Sequence, residues 1–224
     1  MVELALAVAF LLATHFGLAS TRLRPALVGR IGEGPYRGLY SLIALLAFVL
    51  VAMAYNRAPY VELWHLDWGR HVPAVLMILA SILAVAGLTE RNPTSVGQEK
   101  ALAHPEPARG IQRVTRHPFM WAVGLWAIGH VVANGDLASL LLFGGIGALA
   151  LVGTVLIDAK LARRFGDQWQ AFAVRTSNVP FLAITRGHQR LALGEIGWAR
   201  IAGGLALYGV LVLAHPWLFG VPAH

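Results

Sequence analysis

The sequence predicts an all-α integral membrane protein with about six transmembrane helices, organised as a single domain over residues 1–224. Its composition is one reason, because 57% of the 224 residues are hydrophobic and only 13% are charged. A second reason is that several apolar runs approach the roughly 20 residues that a helix needs to cross a bilayer. The chain contains no cysteine. Disulfides, thiolate metal sites and covalent c-type haem attachment are therefore excluded.

The predicted spans follow the apolar runs along the chain. Residues 2–20 form the first span, and its basic residues follow the apolar run, which favours a retained helix over a cleaved signal peptide. A polar stretch at 158–196 precedes the last span, and the apolar spacing within 165–172 predicts an amphipathic cytoplasmic segment at the membrane interface. The second to sixth spans are predicted at 38–55, 72–89, 118–133, 137–157 and 197–215.

The distribution of lysine and arginine predicts the orientation. The loops after the first and third spans hold four and five of these residues, and the stretch from the fifth span to Arg200 at the start of the sixth holds seven, whereas the alternate loops hold only Arg57 and Arg70. This positive-inside bias predicts a multi-pass protein with its large loops in the cytoplasm and both termini outside. The net charge of +7 is therefore a topology signal, and no nucleic-acid partner is expected.

Two histidines inside predicted spans are the main candidate functional residues. His15 lies in the first span beside Gly17, and His130 lies near the end of the fourth. Ionisable groups inside spans are rare and usually face a site, although a hydrogen bond to a neighbouring helix is the alternative for each. Two imidazoles on different helices, without thiolates, suggest a non-covalent haem b with His15 and His130 as its iron ligands. The predicted spans set these two residues about 13 Å apart in depth.

Other histidines offer alternatives. His117 follows Arg116 at the predicted membrane edge, where an interfacial or phosphate-contacting role is also open. Because thirteen residues of one helix separate His117 from His130, at most one of them can share a metal with His15. His215 ends the last span and is another possible ligand. The remaining histidines are predicted to be solvated: His65, His71, His104, His188 and His224.

A resemblance to the NnrU family covers nearly the whole chain. It is carried by His15, by Arg-Val-Thr-Arg-His-Pro at 113–118, by His130, and by the motifs at 134–136, 164–166 and 177–181. The family includes proteins linked to denitrification and the plant 15-cis-zeta-carotene isomerase, in which two histidines hold a b-type haem. The resemblance implies that His15 and His130 are the haem ligands and that the protein lies in a bacterial inner membrane. It implies redox-dependent isomerase-like or nitric-oxide-related chemistry on a hydrophobic small molecule or nitric oxide.

A second resemblance is to the isoprenylcysteine carboxyl methyltransferases. Arg-His-Pro at 116–118, followed by a helix and by Leu161 before Arg-Phe-Gly at 164–166, is similar to their motifs. That resemblance implies S-adenosylmethionine as cofactor and adds Arg116 and His117 to the candidate cofactor-binding residues. The acidic pair expected before the tail is missing, and Asp158 and Lys160 stand there instead. A non-enzymatic haem sensor is a third alternative, and it would use the same residues as the first.

Overall fold

The computed structural model describes residues 1–20 and 23–223, so the predictions that involve Arg22 and His224 lie outside the described residues. Short 3-10 turns lie at Glu99–Ala103 and Gly110–Arg113. Within the described ranges the only β feature is an isolated bridge between Glu62 and Asp136. In chain order the helices are α1 (Val2–Ser20), α2 (Leu23–Ile31), α3 (Glu33–Asn56), α4 (His71–Thr89), α5 (Pro118–Asn134), α6 (Leu137–Phe165), α7 (Asp167–Arg175), α8 (Leu182–Thr185), α9 (Leu193–Ile196) and α10 (Trp198–Phe219).

Four of the described helices, α3, α4, α6 and α10, are long and apolar enough to cross a membrane. Helices α1 and α2 form a fifth candidate if they count as one span that bends by 71°. Helix α5 has 17 residues, which at 1.5 Å per residue is about 25 Å, slightly less than the hydrocarbon thickness of a bilayer. The all-helical membrane protein is therefore confirmed, while six spans and the orientation of the termini stay predictions.

Most observed helices start and end close to the predicted spans, and two differences affect the candidate site. Helix α2 was predicted as loop. Helix α6 continues eight residues past the predicted end at 157, to Phe165, and Gly166 caps it. Its 29 residues are about 43 Å long and exceed the roughly 30 Å of hydrocarbon, so the charged last turns extend beyond the apolar layer. The charged residues that follow the predicted end of the span thus lie within the helix, in its last turns.

The loops meet at two ends of the bundle. At one end, the N–H groups of Leu63 and Trp64 both donate to the Gly135 carbonyl. Gly135 has φ 65°, and a Cβ there would lie 2.1 Å from the Trp64 carbonyl oxygen, so this turn requires glycine. The other end, called here the basic end, carries α2, the 90–117 and 166–197 segments, and all lysines and arginines except Arg57 and Arg70 among the described residues.

The amphipathic segment predicted at the membrane interface is helix α7, but its apolar side does not face lipid. Trp169 and Phe172 are buried in a cluster with Leu102, Ala108 and Leu161. The apolar side of α7 is therefore covered by the segment between α4 and α5 and by the end of α6. A helix that packs on protein and a helix that lies on lipid have the same spacing of apolar residues. The sequence pattern therefore could not tell which of the two covers the apolar side of α7.

Candidate functional site

His15 lies on α1 with one ring nitrogen held and the other free. Its Nδ1 donates to the Leu11 carbonyl oxygen one turn earlier, at 2.9 Å. Its ring meets the rings of Tyr40 and Phe48 edge-on, with centroids 5.7 and 5.9 Å away. Within the described part of the chain, Nε2 has no hydrogen-bond partner. The ring is thus held in the tautomer that leaves Nε2 able to bind a metal.

A cavity of about 640 Å³ opens beside His15 between α1, α2, α3 and α6. This volume is within the range of ordinary small-molecule and cofactor sites. One wall is an apolar face of α6 that includes Leu149, Gly153, Leu156 and Ile157. The rim toward the basic end carries the cations Arg24, Lys160 and Arg163. The cavity can therefore take a large apolar body that carries acidic groups at one edge.

His130 lies on α5, outside that cavity, and like His15 it has one ring nitrogen bonded and the other free. Its Nδ1 donates to the Trp126 carbonyl oxygen at 2.7 Å, and its Nε2 has no hydrogen-bond partner among residues 1–20 and 23–223. The imidazole stacks on Phe143 at a centroid distance of 4.7 Å. His215 on α10 lies within electrostatic range of His130, and its own Nδ1 donates to the Val221 carbonyl oxygen at 2.8 Å. His215 therefore stays an alternative iron ligand, in place of one of the two proposed histidines.

Packing along α6 gives the relative depth of the two candidate ligands. Val8 of α1 packs on Gly145 so closely that a Cβ there would lie 2.5 Å from the Val8 Cγ1. His15 follows Val8 by seven residues, whereas His130 stacks on Phe143, two residues before Gly145. At 1.5 Å per residue the two histidines are about 13 Å apart in depth. The structure agrees with the predicted offset and does not bring both imidazoles into one cavity.

The donor chemistry at both histidines fits an axial ligand of haem iron. Metal-bound imidazoles commonly donate their second N–H to a carbonyl or carboxylate, which fixes the tautomer and the ring orientation. His15 and His130 both show this arrangement, and the His15 cavity has the apolar walls that a porphyrin needs. Among the described residues, no group of three or more His, Cys, Asp or Glu side chains offers another metal site.

Arg116 and His117 bind Asp158, a residue to which the sequence reading gave no role. The Arg116 guanidinium donates to both Asp158 oxygens, from Nε at 3.0 Å and from Nη2 at 2.5 Å. Nε2 of His117 lies 2.7 Å from Asp158 Oδ1, and the His117 side chain is fully buried. The interfacial or phosphate-contacting role left open for His117 is therefore not favoured, because its side chain is buried against Asp158.

Burial determines the state of His117. Burial lowers its pKa by more than the hydrogen bond and the charge of Asp158 raise it, and the Arg116 charge lowers it further. The ring is therefore neutral at pH 7, donates from Nε2 to the carboxylate, and leaves Nδ1 without a partner among the described residues. Because Asp158 already binds Arg116 and His117, neither offers its main donor to a cofactor in this structure.

The two sequence motifs at 113–118 and 177–181 pack against each other around Asp158. Arg116 N–H donates to the Ser177 carbonyl at 2.9 Å, and Phe181 N–H donates to the Val114 carbonyl at 2.8 Å. The Asn178 amide donates to Thr154 on α6 at 2.8 Å. This cluster joins the start of α5, the end of α6 and the 177–181 segment. An Arg-His pair next to an apolar helix needs a carboxylate, which is the signal that could have identified Asp158.

Comparison with known proteins gives one family and two curated relatives. The profile of the family described as NnrU protein matches residues 3–223. The chain is 32% identical over 181 residues to the chloroplastic 15-cis-zeta-carotene isomerase of Arabidopsis thaliana, which covers 79% of the chain and 48% of that protein. It is 28% identical over 184 residues to the chloroplastic 15-cis-zeta-carotene isomerase of Zea mays, with 79% and 49% covered.

The chain thus spans about half the length of the curated relatives that it matches. Both relatives are chloroplastic, so a bacterial inner membrane stays a prediction for this chain. No solved structure matches it.

Proposed function

Since the chain belongs to the NnrU family, we propose that it is an isomerase-type membrane protein that binds haem b without a covalent bond. The observation that carries the proposal is the His15 imidazole, which lines a cavity of about 640 Å³. Its Nδ1–H bond to the Leu11 carbonyl keeps Nε2 free. The relatives named for carotene isomerisation support a hydrophobic polyene as the substrate class.

In this proposal His15 is the ligand that holds the haem in the cavity, and His130 is the second candidate ligand. A bound b-type haem would supply a redox-active iron centre, to which a small molecule could bind if the second histidine ligand were displaced. The apolar face of α6 that includes Leu149 and Ile157 would shield the apolar surface of a bound ligand from water. The depth offset between the two histidines favours a weak or exchangeable second ligand. Nitric-oxide chemistry stays a prediction without a structural observation in its favour.

The methyltransferase alternative is not favoured by the geometry. Its cofactor would need Arg116 and His117, and both already bind Asp158 in a buried cluster. The haem-sensor alternative shares every residue with the main proposal and differs only in the absence of turnover. An assay of turnover therefore separates it from the isomerase.

The test is conversion of 15-cis-zeta-carotene in detergent micelles, followed by chromatography of the geometric isomers. We expect haem-loaded protein reduced with dithionite to isomerise the central double bond. Oxidised protein should be inactive, because ferrous iron binds a carbon–carbon double bond more readily than ferric iron does. Free haem at the same concentration gives the background rate. Reduced, haem-loaded protein that does not exceed this background would exclude carotene isomerisation and leave the sensor alternative.

A further inference from the structure

Lys160 is a half-buried cation on α6 that is repelled by two neighbouring cations and attracted by one carboxylate. It has no hydrogen bond or ion pair among the described residues. Arg24 and Arg164 are close enough to repel its charge. Glu99 is the acidic residue within range, but it lies 3.9 Å from Arg164 and does not reach Lys160. Because a half-buried cation without a carboxylate partner loses part of its hydration, this position favours the binding of an anion.

The rim of the His15 cavity is positive as a whole. Arg24, Lys160 and Arg163 line it together with Glu33, so three cations and one carboxylate leave a net charge of +2. Glu33 is already occupied, because Arg24 lies 2.8 Å from it and Arg37 lies 2.9 Å from it. Lys160 and Arg163 are therefore the two rim cations that have no carboxylate partner in the described structure.

The positions on α6 give the cavity two chemically different ends. Gly153 lies at the apolar end that also contains His15, and Lys160 follows it by seven residues, about 10 Å along the helix. Side chains on a helix lean toward its N-terminus, so the Lys160 ammonium is directed back toward the cavity. A ligand that fits both ends has a broad apolar body and acidic groups at one edge.

We propose that Lys160 and Arg163 bind the two propionate carboxylates of the porphyrin whose iron His15 coordinates. This inference deepens the proposed function and rests on it for the identity of the ligand. The chemistry required at the rim is an anionic group on an amphiphile, and a phospholipid phosphate is the other source of such a group. The cations of this rim thus orient the ring, with its apolar edge between α1 and α6.

The experiment compares haem with haem dimethyl ester, whose propionates carry no charge. Protein from haem-starved cells, held in phosphatidylcholine nanodiscs, is titrated with each compound as wild type and as the double variant Lys160→Met, Arg163→Gln. We expect wild type to bind haem at least about tenfold more tightly than the ester for each ion pair formed. The double variant should bind both compounds equally, with its affinity for the ester unchanged, which also shows that it is folded. Arg164→Gln is the matched control, because Arg164 neighbours Arg163 but does not line the cavity.

Each other outcome overturns the proposal in a distinguishable way. Wild type that binds haem and the ester equally, or a double variant that keeps the wild-type preference, rejects the carboxylate role and leaves haem binding intact. Wild type that binds neither compound rejects the proposed function as well. A second titration uses nanodiscs of equal parts phosphatidylcholine and phosphatidylglycerol. If phosphatidylglycerol in the disc weakens haem binding by wild type but not by the double variant, and the double variant keeps its preference for haem, the rim binds lipid phosphate instead.

Discussion

Replacement of Asp158 by alanine is expected to lower the free energy of unfolding by about 3–5 kcal/mol. The carboxylate accepts hydrogen bonds from Arg116 and from the fully buried His117. Removal of one partner of a buried ion pair leaves the other charge desolvated and unpaired, which costs more than the pair contributes to stability. The side chains of Arg116 and Asp158 are 14% and 18% exposed, so water can compensate only part of this loss.

The measurement is thermal unfolding in detergent micelles, where this destabilisation corresponds to a melting temperature lower by about 10 °C. Asp158→Asn keeps the shape of the side chain and should lie between wild type and alanine. Asp167→Ala is the control, because that carboxylate lies in the exposed first turn of α7. An alanine variant that melts with wild type would show that the cluster does not hold α5, α6 and the 177–181 segment together.

Replacement of His15 by alanine is expected to remove bound haem almost completely. His15 is the imidazole that both lines the cavity and has its Nε2 free, since Nδ1 is bonded to the Leu11 carbonyl. Without it the iron loses the ligand that fixes the ring in place. Absorbance of the Soret band per protein measures the loss, and added imidazole should restore part of it by entering the space left by the side chain.

Three further histidine variants make this result specific. His188→Ala changes an exposed histidine and should keep the full haem content. His117→Ala should keep the haem in the fraction that folds, because His117 binds Asp158. His130→Ala should lose haem or change its spectrum if His130 is the second ligand. Loss of haem in His117→Ala with full retention in His15→Ala would reject His15 as the principal ligand.

The sequence predicted the helices well because long apolar runs and their glycine and proline boundaries are local features. It also selected His15 and His130, since an imidazole inside an apolar run stands out. The Asp158 cluster was missed because its pairs join residues 41 and 42 positions apart. The Arg-His pair indicates that a carboxylate is needed, but no local pattern tells where along the chain that carboxylate lies. In the sequence, a single carboxylate that follows an apolar run cannot be distinguished from the first residue of a loop.

The cavity rim was missed for a different reason. Lys160 and Arg163 were counted only as positive-inside residues, and that count treats all cations at one end of a bundle as equivalent. Their shared position with His15 depends on the extension of α6 and on the presence of α2, neither of which was predicted. Tertiary packing therefore places two of the positive-inside cations, Lys160 and Arg163, at one end of a candidate binding site.

The central claim is that this chain holds one non-covalent haem b, and the haem-to-protein ratio of freshly purified protein tests it most directly. Protein extracted from haem-replete membranes is assayed by the pyridine haemochrome spectrum and by quantitative amino-acid analysis. We predict a b-type spectrum and a ratio close to one. A ratio close to zero, together with stoichiometric binding of S-adenosylmethionine, would contradict the haem assignment and favour the methyltransferase alternative.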